Sequence, residues 1–557
     1  MIALFPALLL AGAQAPAPLP APVPPATARS GGAIVPERAA LHLAQADIAI
    51  EALPAARLLS GRVTLTLRTT AAVPRILIDL DQMFAVSEVA LDGRALPRDQ
   101  WRQADGQIVI DRALGPGTQA AVRVTYAGPP RVAKRAPWDD GFVWSQSNGK
   151  PWFASTAQGM GCDLWWPCLD FPKGEPDAVT LHLTVPAGLS APANGVLLGV
   201  DRLKDGRSTW HWRSGPVNPY ALAISVGPYR ELTGSYRSRF GNVIPLSFWH
   251  LEGNEAKAAQ LFAEFAPTLD FFESVIGPYP FGAQKMGLVE TPYLGMEHQT
   301  INAYGNGYKP APEGFDWLFQ HEFSHEWFGN QMTAADWDDF WLHEGFAQYM
   351  QPLYAKWREG DARYLSMLLI QRQRVEAKAP LVTGTPRSTV DMAKAPGADV
   401  YFKGAWMLHT LRHLIGDRAF LAATRRLVYG RSDPRPGNFA PRFATTRDFT
   451  DAAAQESGRD LTWFFDVYLR QAALPELIER RDGDTLTLRW QVPGGGPFPL
   501  PVEIEVDGAV RQVPMTGGVA VLPVPASAHV VIDPMARVLR RSAAVERMQA
   551  PSAAPAR

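Results

Sequence analysis

Between residues 38 and 230 apolar and polar residues alternate in short runs. Val63, Leu65 and Leu67 alternate with polar neighbours, and so do Val179, Leu181, Leu183 and Val185. The pairs Asp92-Gly93, Asp105-Gly106 and Asp205-Gly206 punctuate such runs. A period of two with turns between the runs predicts half-buried antiparallel strands, and hence a β-sheet domain. His182 falls on the polar side of its run and reads as a solvated residue. From about residue 250 the period lengthens. Asn254 stands where it would cap a helix over 255–276, with Leu261, Phe265, Leu269 and Phe272 along one side and Pro267 kinking or splitting it. Helical spacing dominates to about 472, interrupted by strand-like pieces such as 286–290. After 476 the alternation returns in Leu486, Leu488 and Trp490, then in Val502, Ile504 and Val506 before Asp507-Gly508. This predicts a small β-sandwich of about 65 residues.

The two ends follow other patterns. Ile2 to Leu10 is nearly all apolar and leads into Ala11-Gly12-Ala13, which reads as a signal peptide cleaved after Ala13, although no Lys or Arg precedes the run. Residues 14–28 are dominated by Pro and Ala and predict an extended linker through residue 37. The Ala/Pro-rich residues 543–557 predict a disordered tail. The chain is thus expected to be a multidomain α+β protein: signal peptide 1–13, linker 14–37, β-sheet domain 38–230, largely helical domain 231–473, β-sandwich 474–542 and tail 543–557.

Composition narrows the functional classes. Lys+Arg number 54 against Asp+Glu 55, so no broad basic field draws in nucleic acid. No later stretch of about 18 apolar residues predicts a transmembrane span. The expected location is outside the cytoplasm, periplasmic or secreted. The two cysteines, Cys162 and Cys168, are too few for a disulfide framework or a four-thiolate metal site. One local disulfide and two packed thiols both remain open.

The chemistry concentrates in His321-Glu322-Phe323-Ser324-His325. Residues four apart share one face of a helix, so both imidazoles can reach one metal ion while Glu322 faces its water. Histidines are so rare here that a chance match is expected at roughly the one-percent level. A second element adds weight. Glu344 lies in Trp341-Leu342-His343-Glu344-Gly345-Phe346-Ala347, which reads as a second helix. Two imidazoles and one carboxylate leave a fourth tetrahedral position for water, the layout of a catalytic zinc site. Asp339 is a candidate partner for a ligand histidine, and equally a solvated carboxylate.

HEFSHEWFGN followed by WLHEGFA resembles the zinc aminopeptidases of the aminopeptidase N and leukotriene hydrolase group, the gluzincin metallopeptidases. Further segments are similar to motifs of that family: Gly277-Pro278-Tyr279-Pro280-Phe281, Leu294-Gly295-Met296-Glu297-His298, Val400-Tyr401-Phe402-Lys403-Gly404-Ala405, and Trp166-Pro167-Cys168-Leu169-Asp170-Phe171-Pro172. The resemblance runs from about residue 40 to 540. It implies a β-rich N-terminal domain, a thermolysin-like α/β catalytic domain and a small C-terminal β-sandwich. The residues after Arg470 leave no room for the family's large helical domain, and a more open cleft is expected.

By the same resemblance His321, His325 and Glu344 hold one zinc ion per chain. Glu322 is the general base, and Tyr401 donates to the oxyanion. Glu297 pairs with a substrate's α-ammonium. Gly295 and Met296 belong to the substrate site, Gly295 by admitting a substrate strand close to the backbone. Gln158 matches a position lining the first side-chain pocket. His298 replaces the usual Asn of the Gly-x-Met-Glu-Asn motif, and His343 replaces another common Asn. The expected function is a zinc aminopeptidase acting on peptides with a free N-terminus. A zinc endopeptidase or an epoxide hydrolase on the same scaffold is the alternative, and a non-catalytic peptide-binding protein is the alternative of another class. The sequence leaves the oligomeric state open.

Overall fold

The computed structural model describes residues 23–159 and 161–549. The expected signal peptide and its cleavage site lie outside the described residues.

The alternating runs of the first half build an eight-stranded sheet. Its strands lie in the order Val196–Arg202, Ser208–Ser214, Val179–Val185, Leu41–Leu53, Leu58–Thr69, Gln119–Gly128, Ala85–Leu91 and Arg94–Ala95. Val63, Leu65 and Leu67 are fully buried while the threonines between them are only half-buried, as a pleat with one covered face requires. The sheet is not wholly antiparallel: Leu41–Leu53 runs parallel to Val179–Val185. Sequence alternation reports burial of a face, not strand direction, so this pairing was not legible. His182 sits opposite His211 on the neighbouring strand, their Nδ1 atoms 2.6 Å apart. Cys162 and Cys168 form a buried disulfide at the end of this domain.

The Pro/Ala-rich segment is not a free linker through residue 37. Pro24, Thr27 and Ser30 are buried. The Ser30 amide donates to Thr389 Oγ1 (3.2 Å), its hydroxyl donates to Asp170 Oδ1 (3.0 Å), and the Thr389 amide donates to Ser30 O (3.1 Å). Gly31 forms a β-bridge with Ser388. Proline disfavours a central strand here, yet Ser30 is held by partners on both sides, Asp170 and Thr389.

The predicted helix over 255–276 is two helices, Glu255–Phe262 and Phe265–Val275. The break falls at Ala263-Glu264. Pro267 lies in the first turn of the second helix, where its missing N–H has no intrahelical partner to lose. Asn254 makes no side-chain cap. Its amide donates instead to Glu290 Oε1 (2.7 Å).

A five-stranded sheet follows, in the order Tyr229–Arg237, Val243–Leu251, Met286–Glu290, Asn302–Tyr304 and Gly295–Met296. Its three middle strands are parallel and its edges antiparallel. Against it lies the helix Trp317–Ser324, on which the helix Trp341–Glu359 packs, and this in turn packs against Asp399–Ile415. The C-terminal part consists of two three-stranded sheets. It is anchored on the helices by Tyr468 Oη donating to Leu539 O (2.6 Å) and Arg372 donating to Arg540 O (2.7 Å). The tail was expected to be disordered from 543, but Ala543–Gln549 is helical. Arg541 pairs with Glu546 across its first turn, and the segment holds the helix formers Ala, Glu and Arg. No described helix is long and apolar enough to cross a membrane.

Candidate metal centre and active site

The Trp317–Ser324 helix starts at Asp316, whose carboxylate accepts from the Phe319 amide (3.0 Å) and from Tyr304 Oη (2.6 Å). Leu318, Phe319 and Phe323 are buried and fix the helix against the sheet. His325 lies one residue past the last regular position, but keeps helical angles and donates its amide to Glu322 O (3.2 Å). It therefore still stands a turn beyond His321, with the two rings edge to face at 4.9 Å. His325 Nδ1 lies 2.9 Å from Phe328 O, which turns Nε2 inward.

The Trp341–Glu359 helix brings Glu344 to the same point. His321 Nε2 and His325 Nε2 are 3.4 Å apart, and Glu344 Oε2 is 3.4 Å from each. Three tetrahedral ligands about 2.0–2.2 Å from an ion are separated by about 3.3–3.6 Å. The three groups are buried, and Glu344 Oε2 accepts no hydrogen bond from the described residues. The donor set and its spacing thus fit a tetrahedral divalent cation with one position left over.

A second constellation adjoins the first. Ligand-type atoms of Glu297, Glu322 and His325 lie within 4.8 Å of one another. Glu297 is 2% exposed and Glu322 7%. Burial, then the neighbouring Glu297 carboxylate, pushes the Glu322 carboxyl well above the usual range. Burial likewise raises Glu297. Burial opposes ionisation of Glu344, but the nearby His325 charge and His321 outweigh it and hold its carboxyl below the ordinary range. Burial alone would lower His325, but Glu344 and Glu297 lift it to about 10. Two carboxyls disposed to take a proton thus stand beside one held ionised.

Gly295 matters here for a reason other than the expected one. A Cβ on it would stand 2.5 Å from Glu322 Oε1 and 2.7 Å from Leu318 Cδ1. The missing side chain makes room for Glu322 itself, not only for a substrate strand. Met296 is buried in the core, its strand paired with Asn302–Tyr304.

Tyr401 comes from the first turn of the Asp399–Ile415 helix. Its ring lies 6.2 Å from that of His321, at 29°. Burial, then the Glu344 and Glu297 carboxylates, keeps its phenol protonated far above the usual range. Gln158, on the loop after the Lys150–Thr156 strand, donates Nε2 to Glu344 Oε1 (3.2 Å). The β domain therefore reaches the metal ligand directly. Asp339 does not support a ligand histidine. Its carboxylate accepts from the Thr446 amide (2.8 Å), and His321 Nδ1 has no hydrogen-bond partner among the described residues.

The two substituted histidines are both buried. His298 has no partner at either ring nitrogen among the described residues, and burial pushes it down to about 3, so it is a packed neutral imidazole. His343 Nε2 accepts from the Ala334 amide (2.7 Å). Sequence reasoning missed Tyr220 of the β domain, whose ring lies parallel to that of His343 at 6.5 Å and whose phenol is raised by burial and then by the Glu297 and Glu344 carboxylates. Its setting, Asn218-Pro219-Tyr220-Ala221, carries no chemical signature.

Residues 313–468 match the peptidase family M1 domain. Aminopeptidase B of Mus musculus is 25% identical over 403 residues, which cover 66% of this chain and 58% of that protein. Aminopeptidase N of Lactococcus lactis subsp. lactis is 27% identical over 413 residues, 67% of this chain and 48% of that protein. The matches with these two and with yeast aminopeptidase 2 span between 34% and 58% of the relatives' own length. Among solved structures, an M1 zinc metallopeptidase from Deinococcus radiodurans with a bound Tyr-Ser-Ala substrate aligns with a TM-score of 0.66. It is 26% identical, and the match covers 78% of this chain and 95% of that one. The sequence motifs, the fold and the convergence of two histidines with a glutamate all point the same way: residues 313–468 match the M1 peptidase domain, and the chain is similar to M1 zinc metallopeptidases of the aminopeptidase N group.

Proposed function

We propose that this protein is a zinc-dependent aminopeptidase that hydrolyses the first peptide bond of peptides with a free N-terminus. The observation that carries the reading is the buried Glu297 carboxylate, set beside Glu322 and within reach of the three-ligand cluster. A carboxylate there pairs with an α-ammonium by a charge-assisted hydrogen bond and fixes the register of cleavage at the terminal residue. Internal peptide segments lack that charge and leave the buried carboxylate unpaired.

His321, His325 and Glu344 would hold one zinc ion per chain. When bound, the ion supplies Lewis acidity, polarising a carbonyl and acidifying water. Glu322, raised by burial and by Glu297, takes the proton of the attacking water and passes it to the departing amine. Tyr401 keeps its proton and donates to the oxyanion developing on the scissile carbonyl, a contact worth about 3 kcal/mol in other enzymes. Gln158 steadies Glu344 from the β domain. Gly295 keeps the space in which Glu322 moves its proton. We further propose an exported, periplasmic or secreted protein. The apolar N-terminal run and the paired Cys162 and Cys168 support that location.

A panel of aminoacyl chromogenic amides and one peptide, offered with free and with acetylated N-terminus, tests the reading. Hydrolysis of the free forms only, abolished by chelator, is expected. Internal cleavage of the acetylated peptide would replace the assignment with an endopeptidase.

A further inference from the structure

Tyr220 belongs to the short turn Pro219–Ala221 of the β domain, far in sequence from the motifs, yet after burial it is the Glu297 carboxylate that most raises its phenol. The turn is locked to the loop that carries Glu297. Asn194 Nδ2 donates both to Ala221 O (2.9 Å) and to Gln299 O (2.7 Å), and the Gln299 amide donates to Ala221 O (3.3 Å). Asn218 Nδ2 ties the same turn to Pro172 O (2.8 Å).

The ring has little freedom. It meets Trp337 edge to face at 5.5 Å and lies parallel to His343 at 6.5 Å, 23°. A Cβ on Gly329, in the stretch after His325, would stand 3.4 Å from its hydroxyl. The hydroxyl is buried and has no hydrogen-bond partner among the described residues, and the same holds for Glu297 Oε1. Glu344 is also near, but its Oε1 is taken by Gln158 and its Oε2 faces the two imidazoles. Burial, then Glu297 and Glu344, keeps the phenol protonated, so it faces Glu297 as a donor. A buried donor and a buried acceptor, each without a partner, thus sit on segments tied to one another.

We propose that Tyr220 is a positioning residue for recognition of the substrate's N-terminus: its hydroxyl donates to the Glu297 carboxylate and fixes the rotamer in which the remaining carboxylate oxygen meets the α-ammonium. The inference rests on the aminopeptidase reading and deepens it. A carboxylate anchored on one oxygen needs no reorganisation when the ammonium arrives, and the anchor acts on affinity for the amine alone.

The test uses two probes with the same metal-binding group, leucine hydroxamate and its des-amino analogue 4-methylpentanohydroxamate, titrated calorimetrically into the zinc-loaded full chain. The ratio of their affinities reads the ammonium contact. Tyr220→Phe is expected to lower that ratio about tenfold, with affinity for the des-amino probe, zinc content and thermal midpoint unchanged. In a Glu297→Gln background the same substitution is expected to have no further effect on the ratio. An equal loss for both probes, a ratio kept at the wild-type value, or an additive effect with Glu297→Gln would overturn the role of Tyr220. A wild-type ratio near one would overturn the aminopeptidase reading itself, and the inference with it.

Discussion

A Cβ atom on Gly404 would stand 2.9 Å from the Cα of Gly345. The Trp341–Glu359 and Asp399–Ile415 helices therefore touch backbone to backbone, one residue after Glu344 and three after Tyr401. This contact, more than either helix alone, puts the phenol beside the metal ligands. Gly404→Ala should force the helices apart, cost about 1–3 kcal/mol of stability and move Tyr401 off the carbonyl. Denaturant unfolding and steady-state kinetics are the measurements. A lower kcat with nearly unchanged KM is expected, and undiminished turnover would show that the crossing does not set the position of Tyr401.

Glu322 and Tyr401 are expected to act on turnover rather than on binding. Glu322→Gln should retain zinc and lose kcat by several orders of magnitude. Tyr401→Phe should lose about a hundredfold or more in kcat with little change in KM. A purely raised KM in Tyr401→Phe would count against stabilisation of an oxyanion.

Chelation should abolish hydrolysis and lower the thermal midpoint, and one equivalent of Zn²⁺ should restore both. The reason is the burial of Glu344 among His321 and His325, where a bound ion stabilises only the folded chain. His325→Ala should show the low midpoint with or without added zinc. A variant as stable as the metal-loaded protein would contradict the ligand assignment.

A pH effect on stability is expected far from the metal. Burial, then the Asp79 carboxylate, lifts the Asp170 carboxyl to about 8 against the opposing pull of Arg38. The folded chain thus keeps a proton that the unfolded chain releases near pH 4. The stability contributed is fully present below about pH 4 and is lost as pH rises to about 8. Asp163 is raised in the same direction, by burial first and then by Asp170. Asp170→Asn keeps an acceptor for Ser30 and should flatten stability against pH between 5 and 8, measured by urea unfolding at each pH. An unchanged slope would show that Asp170 is ionised in the folded protein.

The sequence by itself determined the chemistry that local spacing can encode. Four-residue spacing aligned His321 and His325 on one side of a turn and set Glu322 between them in the chain. Period-two alternation marked the buried faces of the strands, and the resemblance carried Glu344, Glu297, Tyr401 and Gln158 to this chain. Local signals failed where the partner lies elsewhere in the chain. Asn254 and Asp339 had the right types for a helix cap and a histidine partner, but Glu290 and the Thr446 amide claimed them. Pro24 to Ser30 read as a linker because no short-range pattern shows that Asp170 and Thr389 hold Ser30.

Only the tertiary structure decided the contacts that join remote segments: Gly345 against Gly404, Gln158 on Glu344, and Asn194 tying the Tyr220 turn to the loop that carries Glu297. None of these residues is chemically distinctive alone. Each acquires its role when packing excludes water and leaves a single nearby group to satisfy it, and burial of that kind is a property of the folded chain, not of any short stretch of it.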